Sequence, residues 1–256
     1  AGGKLVACEE NPVDAVWTDQ PPPPTALVTP YPLLYAGEES AAKRQRIAAL
    51  VATTSAAAAV LTAPDSIAWL LNIRGGDVSH SPLPLSFALL HTDGRVQLFL
   101  HPLKISDGLG AHLGPQVSLH DPGALGAALD ELGANAAPVL LDPATANTWI
   151  DGRLRRAGAK IINGTDPCAL PKARKNSTEI AAIRAAHLRD GAALSNFLAW
   201  LDVAAANGAL DEITASDKLL EFRAATGCLL DLSFPTISGA GPNGADVWLQ
   251  VGLSAF

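Results

Sequence analysis

The sequence predicts an α/β layer fold, and three observations carry that reading. Short apolar runs alternate along the chain with longer stretches of helical character, the pattern of strands and helices that stack as layers. One pair of runs, Leu85–His91 and Arg95–Leu100, flanks Thr92-Asp93-Gly94. Asp-Gly between two such runs is a strong hairpin signal, so the sheet is expected to be mixed rather than wholly parallel. Finally, 256 residues with 48% hydrophobic and only 5% aromatic content are enough to bury a core and favour a helix-rich globular protein.

Taken in order, residues 1–35 read as an irregular connector. TDQPPPPTALVTPYP (Thr18–Pro32) is dense in proline, which has a fixed φ and no N–H for a ladder, so it should run extended. A docking site for a proline-recognition module is the alternative reading of that segment. From Glu38, EESAAKRQRIAALVATT has helical character, and Ala57–Ala63 suits a buried strand. PDSIAWLLNI opens with Pro64 and Asp65, residues that favour a first helical turn, and reads as a short helix. The hairpin comes next. DPGALGAALDELGA starts with an Asp cap and a proline and reads as a helix. APVLLD is then a strand, PATANTWIDGRLRRAG a helix and AKIING a strand. The α/β domain is therefore expected over 36–163.

A punctuated linker, 164–175, follows. Asn176 with Glu179 three positions on is an N-terminal cap signature. It opens an alanine-rich helix from Ser177 to Ala206, bounded by Asn207-Gly208. Thr214 with Asp217 repeats a capping pattern ahead of ASDKLLEFRAAT, which Gly227 stops. Leu232–Ala245, LSFPTISGAGPNGA, reads as a strand and a glycine-rich turn. The second domain, 176–256, is marginal in size for a core of its own.

Composition excludes several function classes. Eighteen Lys and Arg against 25 Asp and Glu give a net charge of −7, so there is no basic footprint for nucleic acid. The short groups KRQR (Lys43–Arg46) and KARK (Lys172–Lys175) are expected on a solvated helix face and in the linker. No apolar run is long enough to span a bilayer, and the start of the chain lacks a signal-peptide pattern. Cys8, Cys168 and Cys228 are isolated, which argues against a disulfide framework or a zinc ribbon and for a reduced, cytoplasmic setting.

Few residues announce chemistry. The six histidines (His80, His91, His101, His112, His120 and His187) show no HxxxH spacing and are expected as surface or packing residues. There is no P-loop, no GxSxG elbow and no GxGxxG between a strand and a helix. SGAGPNG (Ser238–Gly244) reads as a turn, since no helix follows to supply aligned amides. NIRGGDV (Asn72–Val78) is the most loaded stretch. Arg74 and Asp77, held by two glycines, either face a substrate cleft, with Arg74 orienting a carboxylate, or pair with each other and fix the loop.

DSIAWLLNIRGGDVSHSPLPLSFALL (Asp65–Leu90) resembles the second domain of the large, three-domain Xaa-Pro aminopeptidases, the aminopeptidases P. ENPVDAVWTDQPPPP (Glu10–Pro24) is similar to that family's connector. KARKNSTEIAAIRAAHLRDGAAL and EITASDKLLEFRAATG resemble the first two helices of its catalytic domain, and DLSFPTISGAGPNGA its first strand and turn. The resemblance implies a creatinase-N-terminal-like mixed-sheet domain followed by an incomplete pita-bread catalytic domain. It implies hydrolysis of the bond before proline in an Xaa-Pro peptide, and two divalent ions, usually manganese, bridged by a water or hydroxide in the complete enzyme. Homodimerisation is implied as well.

No residue of this sequence takes a metal role by matching. In the family the turn matching GPNGA leads at once into a strand bearing a His, where this chain has DVWLQVGLSAF. The five family ligands, two Asp, one His and two Glu, would fall beyond Phe256. The expectation is a fragment, arising from a frameshift, a gene-model error or a truncation, with its beginning absent too and no aminopeptidase activity of its own. Two other readings stand beside it. One is a non-catalytic binding protein derived from the pita-bread fold. The other is a prolidase or creatinase, against which the connector argues. Leu194, Phe197, Leu198, Leu201, Leu219 and Phe222 lie at helical spacing suited to an uncovered apolar face, which predicts self-association or aggregation.

Overall fold

The computed structural model describes residues 11–245 apart from 207 and 209, together with Gly3, Val6 and Cys8. The expected helix stop at Asn207 and the tail Asp246–Phe256 lie outside the described residues. A short helix, α1 (Pro12–Val16), is capped by the Asn11 side chain. The proline segment then runs exposed and without regular structure to β1 (Thr29–Pro30) and α2 (Leu33–Ala36). The main domain follows as α3 (Ser40–Thr53), β2 (Ala58–Leu61), α4 (Pro64–Leu71), β3 (Ile73–Arg74), β4 (Phe87–His91) and β5 (Val96–Phe99). It continues as α5 (Leu109–Leu113), β6 (Val117–His120), α6 (Leu125–Ala134), β7 (Pro138–Leu141), α7 (Thr148–Ala157) and β8 (Lys160–Asn163). Last come α8 (Ala169–Ala173), α9 (Ser177–Ala206) and α10 (Glu212–Ala224).

The main sheet has the order β6-β5-β4-β2-β7-β8. β4 and β5 form the expected antiparallel hairpin, with Gly94 at φ 84° in its turn. β2 pairs antiparallel with β4 and parallel with β7, and the outer pairs β5–β6 and β7–β8 are parallel, so the sheet is mixed. Central β2 is buried along its whole length, which is why it reads as an unbroken apolar run. Side chains alternate across a strand, and β2 divides its residues accordingly. Ala59 and Leu61 join Ile47, Val51, Ile67 and Leu70 from α3 and α4 on one face. Ala58 and Val60 join Leu129, Ile150 and Leu154 from α6 and α7 on the other.

Several elements differ from the sequence reading. β6 has no counterpart in it: VSLH is short, and its pairing is supplied by parallel β5. α7 starts at Thr148, because Asn147 accepts the Ile150 N–H and Asp142 holds the preceding residues in a turn through Ala144 N. α10 is capped by Asp211 rather than Thr214. Asp211 Oδ1 accepts the Thr214 N–H at 2.7 Å, so Thr214 lies inside the first turn. No strand forms over Leu232–Ala245 among the described residues, and the glycine-rich stretch ends in a 3-10 turn, Gly241–Ala245. Half of KRQR is not solvated. Lys43 is 1% exposed and Arg44 5%, because α3 turns that side against α4 and the β4–β5 turn, where Arg44 Nη1 donates to Gly94 O at 2.8 Å.

Residues 164–175 pack against the sheet domain. Asp166 N donates to Asp142 Oδ2 at 2.8 Å, Cys168 N donates to Asp166 Oδ1 at 2.7 Å, and Lys172 Nζ bonds the Asp65 carboxylate. The Cys168 side chain is fully buried in the core beneath α4, and burial pushes its thiol pKa well up, with the Asp166 carboxylate adding to the effect. Cys8 and Cys228 are exposed. A thiol reagent should therefore titrate two cysteines in the native chain and three in urea. Rapid native labelling of Cys168 would show that this segment is not packed.

Candidate functional site

The loaded stretch Asn72–Val78 begins where α4 stops. Asn72 takes the left-handed conformation at φ 50° and ends the helix, a position that asparagine tolerates better than most residues. Its side chain is used twice: Oδ1 accepts from Lys43 Nζ at 2.8 Å, and Nδ2 donates to Glu38 O at 2.8 Å. Lys43 Nζ also donates to Trp69 O at 3.1 Å and sits 4.6 Å from the centre of the Trp69 ring. Burial pulls the Lys43 pKa below the ordinary lysine value, with Glu179 and Glu38 opposing the effect. The buried ammonium thus clamps the end of α4 to α3.

β3 pairs antiparallel with β1, placing Arg74 opposite Thr29. The Arg74 guanidinium stacks on Tyr31, 3.7 Å from the ring centre, and Nη1 donates to Ile73 O at 2.8 Å. Burial lowers its pKa, with Tyr31 and Glu179 opposing. After Arg74 the chain passes tightly over Pro84: a Cβ on Gly75 would stand 2.8 Å from Pro84 N, so only glycine fits there. Asp77 then turns inward. Its Oδ2 accepts from Leu85 N and Lys104 Nζ, both at 2.7 Å, with the Asp77 side chain 0% and the Lys104 side chain 6% exposed. Asp77 Oδ1 is buried without a partner.

Arg74 and Asp77 therefore do not pair with each other. Arg74 faces Tyr31 beside the start of α9, and Asp77 is spent on fixing the loop to Lys104. Sequence reasoning missed Tyr31, Lys43 and Lys104, whose partners Arg74, Trp69 and Asp77 lie 26 or more residues away, and which carry no local motif. The signal for Tyr31 was its place in a proline-flanked TPYP, a segment that had to extend beside something.

The loop also meets the second helical layer. His80, at φ 59°, places Nδ1 3.3 Å from Asp231 Oδ1. A cleft of about 460 Å³ runs between Gly75–Pro82 and Leu230–Ser233. It adjoins one of about 510 Å³ lined by Ile183, His187, Leu219, Phe234 and Ile237. α9 is anchored by the expected capping box: Glu179 N donates to Asn176 Oδ1, and Asn176 N to Glu179 Oε2, both at 2.9 Å. Asn176 Nδ2 also donates to Ala36 O, tying the helix start to α2. Among the described residues no group of three His, Cys, Asp or Glu side chains is arranged to hold a metal ion, so these residues do not fit a dinuclear centre. None of their helices is long and apolar enough to cross a membrane.

The chain is 36% identical over 260 residues to the probable Xaa-Pro aminopeptidase P of Paracoccidioides brasiliensis, covering 96% of this chain and 42% of that protein. To the probable Xaa-Pro aminopeptidase P of Aspergillus niger it is 37% identical, covering 95% and 41%. The chain thus spans about two fifths of the length of the curated relatives it matches. The X-prolyl aminopeptidase of Caenorhabditis elegans, described as a cytosolic enzyme with a di-nuclear active site, superposes with a TM-score of 0.84 at 30% identity. That match covers 91% of this chain and 38% of that one. An Xaa-Pro dipeptidase from Bacillus anthracis superposes at 0.61 with 16% identity, covering 83% and 56%, a likeness of fold alone. The profile of the Creatinase/Prolidase N-terminal domain matches residues 19–179, and the chain belongs to that family.

Proposed function

We propose that this chain is the non-catalytic scaffold portion of an Xaa-Pro aminopeptidase. In this reading 1–35 is the connector and 36–163 the creatinase-N-terminal-like domain. Residues 164–175 link it to 176–256, the opening of a pita-bread catalytic domain. The observation that carries the reading is the match of nearly the whole chain, in order, to proteins bearing that activity, together with a TM-score of 0.84 to one of them. The complete enzyme would hydrolyse the bond before proline using two divalent ions, manganese being the expected metal, in a cytoplasmic setting. The described residues offer no donor set for those ions, so no step of the hydrolysis is assigned to them. Arg74 is the proposed substrate-facing residue. Its guanidinium lies half-buried at the edge of the loop, among the described residues it forms no ion pair within 4 Å, and its fork suits a carboxylate. Asp77 supports it by holding the loop.

The 256-residue polypeptide is expected to release no N-terminal residue from an Xaa-Pro peptide in the presence of added manganese, as followed by chromatography of the products. Release above a buffer control, abolished by chelation, would overturn the scaffold reading. The alternative, a binding protein derived from the same fold, predicts instead that the chain retains an Xaa-Pro peptide without cleaving it, measurable by calorimetry.

A further inference from the structure

The proline-dense segment Thr18–Pro32 has so far no task beyond connecting. Its central run, Pro21–Pro24, has little conformational choice. Each ring locks φ near −65°. Each residue that precedes a proline, from Gln20 to Pro23, is pushed out of the helical region toward extended backbone. Together these constraints favour a stretch of polyproline II helix, with three residues per turn and about 3.1 Å of rise for each. Pro21 and Pro24 then lie one turn apart and present their rings along one edge. A backbone of that kind is satisfied by water rather than by neighbouring chain, and the segment is placed accordingly. Every residue from Asn11 to Thr25 is exposed. Among the described residues, none from Pro21 to Leu27 donates or accepts a hydrogen bond. The segment is anchored to the sheet domain at Val28, which is fully buried and whose N–H donates to Lys104 O at 2.7 Å.

We infer that Pro21–Pro24 is a ligand for a proline-recognition module, a folded domain of another protein whose groove is lined by aromatic side chains and rimmed by basic ones. The prolines have no N–H to lend to a sheet edge, so they offer a partner ring faces and carbonyls, which is what an aromatic-lined groove takes. The rings have already fixed the backbone, so docking orders less chain than it would in an ordinary loop. The apolar surface continues past the run: Val13, Val16 and Trp17, at the end of α1, are 55%, 78% and 45% exposed. Charge selects the rim. Between Lys4 and Lys43 the sequence has no Lys, Arg or His, whereas Asp14 and Asp19 stand beside the run, both exposed. A groove with an acidic rim would meet them with like charge, and one with a basic rim would be steered to them.

The test titrates isotope-labelled SH3, WW and EVH1 domains, taken as probes with basic and with acidic rims, with the purified 256-residue chain. Chemical-shift changes at the groove report binding. Basic-rimmed probes are expected to bind with Kd on the order of 10–500 µM, and acidic-rimmed ones at least about tenfold more weakly. Pro22→Ser/Pro24→Ser leaves no two prolines of the run adjacent or one turn apart, and should weaken binding about tenfold or more. Asp14→Asn/Asp19→Asn should remove most of the loss of affinity seen between ~50 and ~300 mM salt. All four positions are exposed, and far-UV circular dichroism checks that each variant is folded. A chain that binds none of the probes with Kd below ~1 mM would overturn the proposal and leave the run as a connector alone. So would binding that the proline substitutions leave unchanged, or binding that favours acidic rims.

Discussion

Lys104→Met should destabilise the chain by roughly 3–5 kcal/mol, the cost of leaving a buried charge without its partner. The Asp77 carboxylate is wholly buried, and one of its oxygens already lacks a hydrogen bond. Lys104 Nζ is its only cationic contact among the described residues, and it also donates to Leu85 O at 3.2 Å. Removing the ammonium therefore strands both a charge and a carbonyl. The double variant Asp77→Asn/Lys104→Met should recover at least half of the loss, because the charge goes while the oxygen of the new side-chain amide can still accept the Leu85 N–H. That recovery is what separates an uncompensated charge from lost packing of the lysine stem. Urea unfolding of the parent chain, the two single variants and the double variant gives the coupling directly. If Lys104→Met proves as stable as the parent chain, the loop is open to water and Asp77 does not fix it. A loosened loop would release Gly75 and Gly76 and, with them, the position of Arg74.

The strand–helix alternation is legible in the sequence because each signal for it is local. Asp93-Gly94 fixes the hairpin through its own turn geometry, and Asn176 with Glu179 builds its cap within four residues. The errors share the opposite character. Asp211 and Thr214 are both good capping residues, and only the entry direction of the chain, from a turn outside the helix, selects the first. β6 becomes a strand because β5 offers it a parallel ladder, and nothing within Val117–His120 encodes that neighbour. Lys43 reads as solvent-facing among KRQR until α4 supplies the Trp69 carbonyl and ring and the Asn72 amide that accept its ammonium. The candidate site suffers in the same way. NIRGGDV is visible as a dense loop, but the partners that decide its two charged residues, Tyr31 and Lys104, come from segments on either side of it in sequence. Proximity suggests an Arg74–Asp77 pair, and long-range contacts give each a better partner.

Gly133→Ala and Gly126→Ala are the same change in the same helix, α6, and they should move stability in different directions. Alanine at either position gains helix propensity of about 0.5–1 kcal/mol over glycine. What the new methyl meets decides the outcome. At Gly133 it would stand 2.3 Å from Ala157 Cβ and 2.6 Å from the Ala157 carbonyl carbon, so α6 and α7 must separate along a packed seam that reaches Leu129 and Leu154. Overpacking of that kind typically costs about 1–3 kcal/mol, and backbone on the far side leaves little room to relax, so the loss should exceed the gain. At Gly126 the methyl meets the Arg153 guanidinium at 2.7 Å, the far end of a flexible side chain that can swing away. Its exposed pair with Asp130 contributes little, so Gly126→Ala should be near neutral or slightly stabilising. Thermal unfolding of the two variants should therefore show a fall in Tm for Gly133→Ala of several degrees, about 2–4 °C per kcal/mol at this size, and no fall for Gly126→Ala. Equal effects would mean that helix propensity outweighs packing at this seam, and that α6 and α7 lie further apart than their close approach through Gly133 requires.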